Sequence, residues 1–125
     1  MEILIYVRWD LPLQLIPSHF LLKGIADRVC LGLIPTSEGS WVTAVKALRS
    51  EGGMLHVHGN VKDSEEDLWA AHVSKSILEI ARSEGYCWEV SIEHVERVKW
   101  YAPHVRHLVA DIRCRETKDV TGTLC

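Results

Sequence analysis

The sequence predicts an α/β fold whose sheet is mostly parallel and ends in an antiparallel hairpin. Residues 29–34 form a continuous apolar run that is typical of a buried strand, and helix-periodic segments separate it from the strands that follow. The last two predicted strands are joined by residues 101–106, a segment too short for a crossover helix, so these strands must be antiparallel. The predicted order after residue 25 is therefore β-α-β-α-β-β.

Length and composition are those of an ordinary globular domain. The 125 residues are 47% hydrophobic and 25% charged, which suffices for one domain with an apolar core. A net charge of -3 excludes RNA binding through bulk positive charge, so any RNA contact must be local. The cysteines, at positions 30, 87, 114 and 125, include no CxxC pair. This favours reduced thiols in a cytoplasmic protein over a disulfide framework or a zinc site.

The N-terminal segment, residues 1–24, differs in composition from the rest of the chain. The β-forming residues over 2–9 predict a strand. Pro12 and Pro17 predict an irregular stretch after it, outside the structural unit that follows. Because these prolines also interrupt the apolar run, we expect no membrane span in this segment. We expect no signal peptide either, because the segment lacks a basic n-region and a clean small-residue cleavage site.

Two helices are predicted between the later strands. The first covers about residues 40–50, is capped by Ser40 or Ser37 and ends at Gly52-Gly53. Its predicted apolar stripe consists of Trp41, Val42, Ala44, Val45 and Leu48.

The second helix is predicted to begin at a capping box, with Ser64 at the N-cap and Asp67 at N3, as part of a solvated acidic turn. It runs to about residue 83, and Gly85 ends it. Its apolar face carries Trp69, Val73, Ile77, Ile80 and Ala81. Trp41, Trp69 and Trp88 are all expected in the core.

The remaining strands are predicted over residues 54–58, 88–98 and 107–113. Gly59 and Asn60 are expected to close the first of these strands. The tail, residues 116–125, is polar and is expected to fray.

Chemistry is expected beyond the carboxyl ends of the parallel strands, where ligands bind in open α/β sheets. The turn after the first buried strand contains Pro35, Thr36 and Ser37. Its hydroxyls and backbone N–H groups can bind a carboxylate or a phosphate, or the turn can simply end a strand and cap a helix. His58 and Asn60, at the end of the next strand, can line the same site.

The loop before the last strand combines cations with aromatic rings, a mixture that stacks bases and holds phosphates. This cluster consists of Lys99, Trp100, Tyr101, Pro103, His104 and Arg106. The alternative is a hairpin with snorkelling cations and one buried ring.

Other polar residues favour structural roles. Asp27 and Arg28 are expected to form an ion pair or a cap. His56 and His58 share one strand face, but no acidic residue or cysteine stands at a supporting spacing, so packing or hydrogen bonding is favoured over a metal site.

Three segments, in this order, resemble the C-terminal part of the tRNA wybutosine-synthesizing protein 2 family, most closely its plant multidomain form. They are Ala-Asp-Arg-Val-Cys-Leu-Gly-Leu-Ile-Pro-Thr-Ser at 26–37, Gly-Met-Leu-His-Val-His-Gly-Asn at 53–60 and Val-Lys-Trp-Tyr-Ala-Pro-His-Val at 98–105. The resemblance covers about residues 25–115 and does not extend into residues 1–24. It implies the second half of a Rossmann-like class I S-adenosylmethionine-dependent transferase sheet, with the last strand antiparallel.

The resemblance also implies a reaction. Family members transfer the 3-amino-3-carboxypropyl group of S-adenosylmethionine to carbon 7 of 4-demethylwyosine, the base at position 37 of phenylalanine tRNA, in the anticodon loop. No metal is implied, and alignment of donor and base is expected to dominate catalysis. The family match places Pro35, Thr36 and Ser37 against the donor and leaves the catalytic residue undefined.

Class I transferases bind the donor through a Gly-rich turn after the first strand and an acidic residue at the end of the second. Neither has a counterpart in this sequence. We therefore expect a truncated, inactive form, whose donor site an upstream domain or another chain would complete.

Two alternatives remain open. A guanosine-37 methyltransferase is related, but it carries Asn-Leu-Pro where this chain has Gly-Leu-Ile-Pro at 32–35. A non-catalytic module that binds RNA or a protein through the hairpin loop would need no donor site.

Overall fold

The structure, a computed structural model, describes residues 2–8, 11–17, 24, 26–31 and 38–117. In chain order its elements are β1 (Glu2–Arg8), β2 (Leu11–Pro17), β3 (Arg28–Leu31), α1 (Trp41–Ala47), β4 (Gly52–Lys62), α2 (Glu66–Ser83), β5 (Trp88–Ala102) and β6 (Val105–Glu116). The strands form one sheet in the order β2-β1-β3-β4-β6-β5.

Strand directions confirm the predicted topology. β3 is parallel to β4, with Leu31 opposite Val57, and β6 is antiparallel to both β4 and β5. β5 therefore runs in the same direction as β3 and β4. The carboxyl ends of these three strands consequently lie at one edge of the sheet, which we call the carboxyl edge.

The N-terminal strand is confirmed, and it pairs antiparallel with β3. The prediction of an irregular stretch after it is wrong, because β2 contains Pro12 and Pro17 and pairs with β1. β2 is the edge strand of the sheet. An edge strand tolerates proline because its outward N–H groups have no ladder partner.

Both described helices cover one face of the sheet. Trp41 and Val45 of α1 belong to the same buried cluster as Val73 and Ile77 of α2 and the strand residue Leu55. Each fully buried aliphatic side chain of this size contributes about 1.5–3 kcal/mol. The burial of Trp41 and Trp88 and the packing of Trp69 against this cluster confirm the predicted apolar faces.

The opposite face is more accessible than the sequence predicts. In β3, Val29 and Leu31 are buried, whereas Arg28 and Cys30 are half-buried. The prediction of a strand covered on both faces is therefore wrong for the described part of the run. The alternation arises because α1 and α2 cover only one side.

Helix ends differ from the predictions. α1 ends at Ala47, because Leu48 and Arg49 form β-bridges to Ala26 and Gly52. Ser40 occupies the N-cap position without a side-chain cap hydrogen bond. Val42, predicted in the apolar stripe, is 44% exposed.

The predicted capping box is wrong. A 3₁₀ turn over Asp63–Glu65 precedes α2, which moves the N-cap to Glu65, and no side-chain cap bond forms. The far end is as predicted, since α2 ends at Ser83 and Gly85 follows in the left-handed region at φ +85°.

β4 extends through the residues predicted to close it. Gly59 and Asn60 lie within the strand and pair with Leu108 and His107 of β6. Gly59 serves packing here, because a Cβ at this position would lie 2.9 Å from Cζ2 of Trp69. β5 and β6 likewise extend beyond their predicted ends and leave a two-residue turn between them.

The cysteines are in mixed states. Cys114 is a free thiol, and burial raises its pKa to about 12. Cys87 is disulfide-bonded, so the prediction of reduced thiols is wrong for this residue. Among the described residues, no helix is long and apolar enough to cross a membrane.

Candidate functional site

Three neighbouring segments lie at the carboxyl edge: the end of β4, the start of α2 and the β5–β6 turn. They carry all the predicted substrate-binding residues, from His58 to Arg106. Pro35, Thr36 and Ser37, predicted to bind the donor, lie outside the described residues. Their donor-binding role stays a prediction.

The β5–β6 turn is fixed against the start of α2. Pro103 and His104 form the turn, and His104 adopts a φ of +61°, as the third position of a type II turn requires. The His104 carbonyl accepts a hydrogen bond of 2.8 Å from the Asp63 N–H. Nδ1 of His104 lies 3.3 Å from Asp63 Oδ2. These contacts tie the predicted RNA-binding loop to the end of β4.

Glu66, at the start of α2, forms ion pairs with two arginines of the β5–β6 hairpin. The Glu66 carboxylate, only 10% exposed, is 2.9 Å from Arg97 Nε and 3.3 Å from Arg106 Nε. Arg106 also lies over the Trp100 ring, with Cζ 4.2 Å from its centroid. The prediction of a wholly solvated acidic turn is therefore wrong for Glu66. The charge of Arg106 is already paired with Glu66, so we infer that Arg106 holds the Trp100 ring in place.

Two aromatic rings of the hairpin are open to solvent. Trp100 is 54% exposed and Tyr101 is 62% exposed, whereas the other Trp and Tyr side chains whose burial the structure describes are buried or half-buried. Exposed rings beside a cation can stack on nucleobases. This geometry supports the predicted cluster rather than its alternative of one buried ring.

A chain of hydrogen bonds joins β4 and β6 on the face opposite the helices. Nδ1 of His58 lies 3.0 Å from Nε2 of His107, and Nδ1 of His107 lies 3.0 Å from Oδ1 of Asn60. We call these three residues the histidine relay. Lys99 lies opposite His107 on the β5 side. The relay connects two predicted site residues through one that the sequence analysis missed.

Both imidazoles of the relay favour the neutral form. Burial lowers the pKa of His58, and the neighbouring His107 and His56 lower it further. Burial also lowers the pKa of His107, with a contribution from Lys99. Neutral rings can each donate one hydrogen bond and accept another.

The other predicted polar residues have structural partners. Nδ1 of His56 is 2.7 Å from Oδ1 of Asp111, and its Nε2 is 3.2 Å from Arg28. Asp27 forms the predicted ion pair with Arg49 at 2.8 Å. The described residues contain no group of three histidine, cysteine or acidic side chains that could hold a metal ion.

A cavity of about 470 Å³ lies between the end of β4 and the first turns of α2. Asn60, Lys62, Trp69 and His72 are among its lining residues. The rings of Trp69 and His72 give it apolar walls and a polar nitrogen, whereas the Asn60 side chain bonds to His107 on the opposite face of the sheet. The sequence placed Trp69 only in the core and did not predict that it lines this cavity.

Sequence signals for the missed residues are weak. His107 meets Asn60 only through the β4–β6 register, which joins positions 47 residues apart. Glu66 looks like any acidic residue in a first helical turn. The β4–β6 ladder had to be known before the contact of His107 with Asn60 could be predicted. The packing of α2 had to be known before the ion pairs of Glu66 could be predicted.

The chain is similar to two plant proteins over most of its length. It is 71% identical to tRNA wybutosine-synthesizing protein 2/3/4 of Arabidopsis thaliana over 93 residues, which are 74% of this chain and 9% of that protein. It is 68% identical to the protein of the same name from Oryza sativa over 95 residues, covering 76% of this chain and 9% of the rice protein. No family model matches.

An animal relative is similar at lower identity. The tRNA wybutosine-synthesizing protein 2 homolog of Danio rerio is 37% identical over 128 residues, covering 75% of this chain and 31% of that protein. This chain therefore spans less than a third of each of these three relatives.

Solved structures confirm the fold. The M. jannaschii TYW2 structure in complex with AdoMet matches with a TM-score of 0.64 and 23% identity, covering 79% of this chain and 42% of that one. The P. horikoshii TYW2 structure in complex with MeSAdo matches with a TM-score of 0.63 at 23% identity, covering 79% and 35%. Both support the predicted half of a Rossmann-like transferase sheet.

Proposed function

We propose that this chain carries the second half of the transferase module of the tRNA wybutosine-synthesizing protein 2 family. On that premise, it supplies the tRNA-facing part of an aminocarboxypropyltransferase. The 71% identity to the Arabidopsis protein carries this proposal. The proposed reaction moves the 3-amino-3-carboxypropyl group of S-adenosylmethionine to carbon 7 of 4-demethylwyosine, at position 37 of phenylalanine tRNA.

The proposed RNA contact is the carboxyl edge. The exposed rings of Trp100 and Tyr101 would stack on bases of the anticodon loop, and Lys99 would contact a phosphate. Since the net charge of the chain is -3, the contact must be local and must gain more from stacking than from bulk charge.

The proposed donor contact is only partial in this chain. Pro35, Thr36 and Ser37 would face the methionine part of S-adenosylmethionine. An upstream domain or another chain would supply the Gly-rich turn. On this view the chain alone binds tRNA and transfers nothing, and the boundary of the transferase segment lies near residue 25.

A titration with labelled RNA tests the proposed interface. The probe is the anticodon stem-loop of phenylalanine tRNA, and its fluorescence anisotropy is followed at several salt concentrations. Lys99→Ala is expected to weaken binding and to lower the salt slope by about one unit, as expected for one lost phosphate contact. The matched control is Lys75→Ala, which removes an exposed charge from α2.

The outcomes separate the candidate functions. Equal weakening by both substitutions, or no binding by the unsubstituted chain, would contradict the interface. Calorimetry with S-adenosylmethionine then tests the donor site. RNA binding without donor binding fits the half-domain or a non-catalytic module. If the chain transfers a methyl group instead, the guanosine-37 methyltransferase alternative replaces the proposal.

A further inference from the structure

The histidine relay has a direction that its atoms determine. Oδ1 of Asn60 can only accept a hydrogen bond, so Nδ1 of His107 must carry the hydrogen in their 3.0 Å contact. A neutral imidazole has one N–H, which makes Nε2 of His107 an acceptor. Nδ1 of His58 must then donate across the second 3.0 Å contact. Nε2 of His58 is left with a lone pair.

The packing fixes this arrangement. His107 is 8% exposed and lies between Asn60 on β4 and Lys99 on β5. The two imidazole centroids are 5.2 Å apart, with ring planes at 50°. Neither ring can turn over without breaking a bond to its neighbour. The hydrogen bond between the two rings uses Nδ1 of His58 and does not involve its Nε2.

The Nε2 atom of His58 lies at the carboxyl edge. His58 follows Val57, which pairs with Leu31, the last residue of β3. His58 is therefore level with the point where the chain leaves β3 towards Pro35, Thr36 and Ser37. Ligands in this class of sheet bind beyond the strand ends, so Nε2 of His58 is close to the expected reaction site.

The proposed reaction needs a proton acceptor. The ring carbon that attacks the 3-amino-3-carboxypropyl group carries a hydrogen. As the new C–C bond forms, the bond between that group and sulfur breaks, and its electron pair leaves with sulfur. The ring carbon must then lose its proton so that the C–H electrons restore the aromatic base. A neutral imidazole is suited to accept this proton near neutral pH.

We propose that Asn60 and His107 are positioning residues that hold His58 as its Nδ1–H tautomer, so that Nε2 of His58 accepts the proton released by the alkylated base. This inference rests on the proposed function. It assigns a role to His107, which the sequence analysis did not select, and it turns His58 from a lining residue into a catalytic one.

Nuclear magnetic resonance tests the tautomers on the chain as it exists. Long-range ¹H–¹⁵N correlations of the ¹⁵N-histidine-labelled chain at about pH 8 report which ring nitrogen carries hydrogen, because both rings are then neutral. His58→Gln and His107→Gln assign the signals. The proposal predicts Nδ1–H for both residues. An Nε2–H signal for His58 would overturn it.

Two further variants test the direction of the relay. Asn60→Asp offers only acceptor oxygens, so it should leave the tautomers of His58 and His107 unchanged. If Asn60 instead donated a hydrogen bond to His107, this substitution would invert both tautomers. His107→Leu removes the acceptor and should return His58 to the Nε2–H form that free imidazole prefers. The exposed His94, which pairs with Glu96, provides the control, since His94→Gln should leave the relay signals in place.

Transfer to precursor phenylalanine tRNA tests the catalytic use of His58, and because this chain alone is expected to transfer nothing, the assay is made with the donor-binding half supplied. His58→Gln is expected to lower kcat by about 100-fold. His107→Leu should lower kcat with little change in the KM for tRNA, and His107→Gln should restore part of the loss. A normal kcat in His58→Gln would overturn the proton-acceptor role. No transfer by the unsubstituted protein with its donor-binding half present would contradict the activity proposed for this site, while the spectra of the chain alone would still decide the tautomers.

Discussion

At the residue scale, the contact between Gly59 and Trp69 shows how a strand glycine can be required without a turn. The indole lies where a Cβ would stand, at 2.9 Å from Cζ2. The ring is also half-buried against the core, so it has little room to move. Sequence reasoning treats such a glycine as a strand end, because it cannot show the ring.

We therefore predict that Gly59→Ala destabilises the chain by about 1–3 kcal/mol, as overpacking of a filled site does. Urea unfolding followed by circular dichroism measures the change. In a Trp69→Leu background the same substitution should cost less, because the obstructing ring is gone. An equal cost in both backgrounds would contradict the steric explanation.

The histidine relay predicts how stability depends on pH. In the folded chain the pKa values of His58 and His107 are lowered, chiefly by burial. The unfolded chain therefore binds more protons below about pH 6.5. The free energy of unfolding should be fully retained above this value and should fall as the pH decreases towards the folded pKa values.

The measurement is urea unfolding at about pH 7.5 and 5.5. His107→Gln should flatten the acid loss, because one of the two lowered groups is removed and His58 loses a neighbour. The pKa of His94 shifts in the opposite direction, because its hydrogen bond to Glu96 raises it. His94→Gln should therefore not flatten the loss of stability at acid pH. A pH dependence that His107→Gln leaves unchanged would be evidence against a neutral relay.

The sequence predicted site residues that are close together in the chain and missed those that only the fold brings together. Residues near one another in the chain, such as Trp100 and Tyr101, can be recognised together. His107 and Glu66 act on residues that only the β4–β6 ladder and the packing of α2 bring close.

At the element scale, the β5–β6 hairpin carries two exposed aromatic rings, Trp100 and Tyr101, at the carboxyl edge. Trp100→Ala should weaken binding of the anticodon stem-loop by about 1–3 kcal/mol, the usual value of one stacked base. Trp100→Phe should retain most of the affinity, because an aromatic face remains. Fluorescence anisotropy measures both, and equal losses in the two variants would exclude stacking.

β1 closes the side of the sheet that β3 would otherwise leave open. Leu4 pairs with Leu15 of β2 and with Cys30 of β3, so its backbone has a strand on both sides. Leu4→Pro removes a ladder N–H and should lower stability by about 1–3 kcal/mol. Hydrogen exchange should show faster exchange of β3 amides, whereas Leu4→Val should preserve their protection. Unchanged exchange in Leu4→Pro would argue against this pairing.

Element order was predictable, whereas element ends were not. The apolar periods of the strands and helices are local signals, so the order β-α-β-α-β-β could be predicted. Gly59-Asn60 looks like a turn, yet the ladder with β6 keeps it extended. The capping box failed because a 3₁₀ turn moves the start of α2 to Glu66.

At the scale of the whole molecule, the two faces of the sheet differ. One face packs on α1 and α2, while the other carries Arg28, His56, His58 and Asp111 in hydrogen-bonded groups. Polar groups that satisfy one another lower the cost of an accessible face. The sequence could not show that this face is polar, because its hydrogen-bonded groups join residues of different strands.

We expect the carboxyl edge to bind the anticodon loop of tRNA. The most direct test is to add the anticodon stem-loop of phenylalanine tRNA to the ¹⁵N-labelled chain and map the amide signals that move. We predict shifts concentrated in residues 58–66 and 99–107. Shifts centred on the opposite edge, near Gly85 and Trp88, or no shifts at saturating RNA, would contradict it.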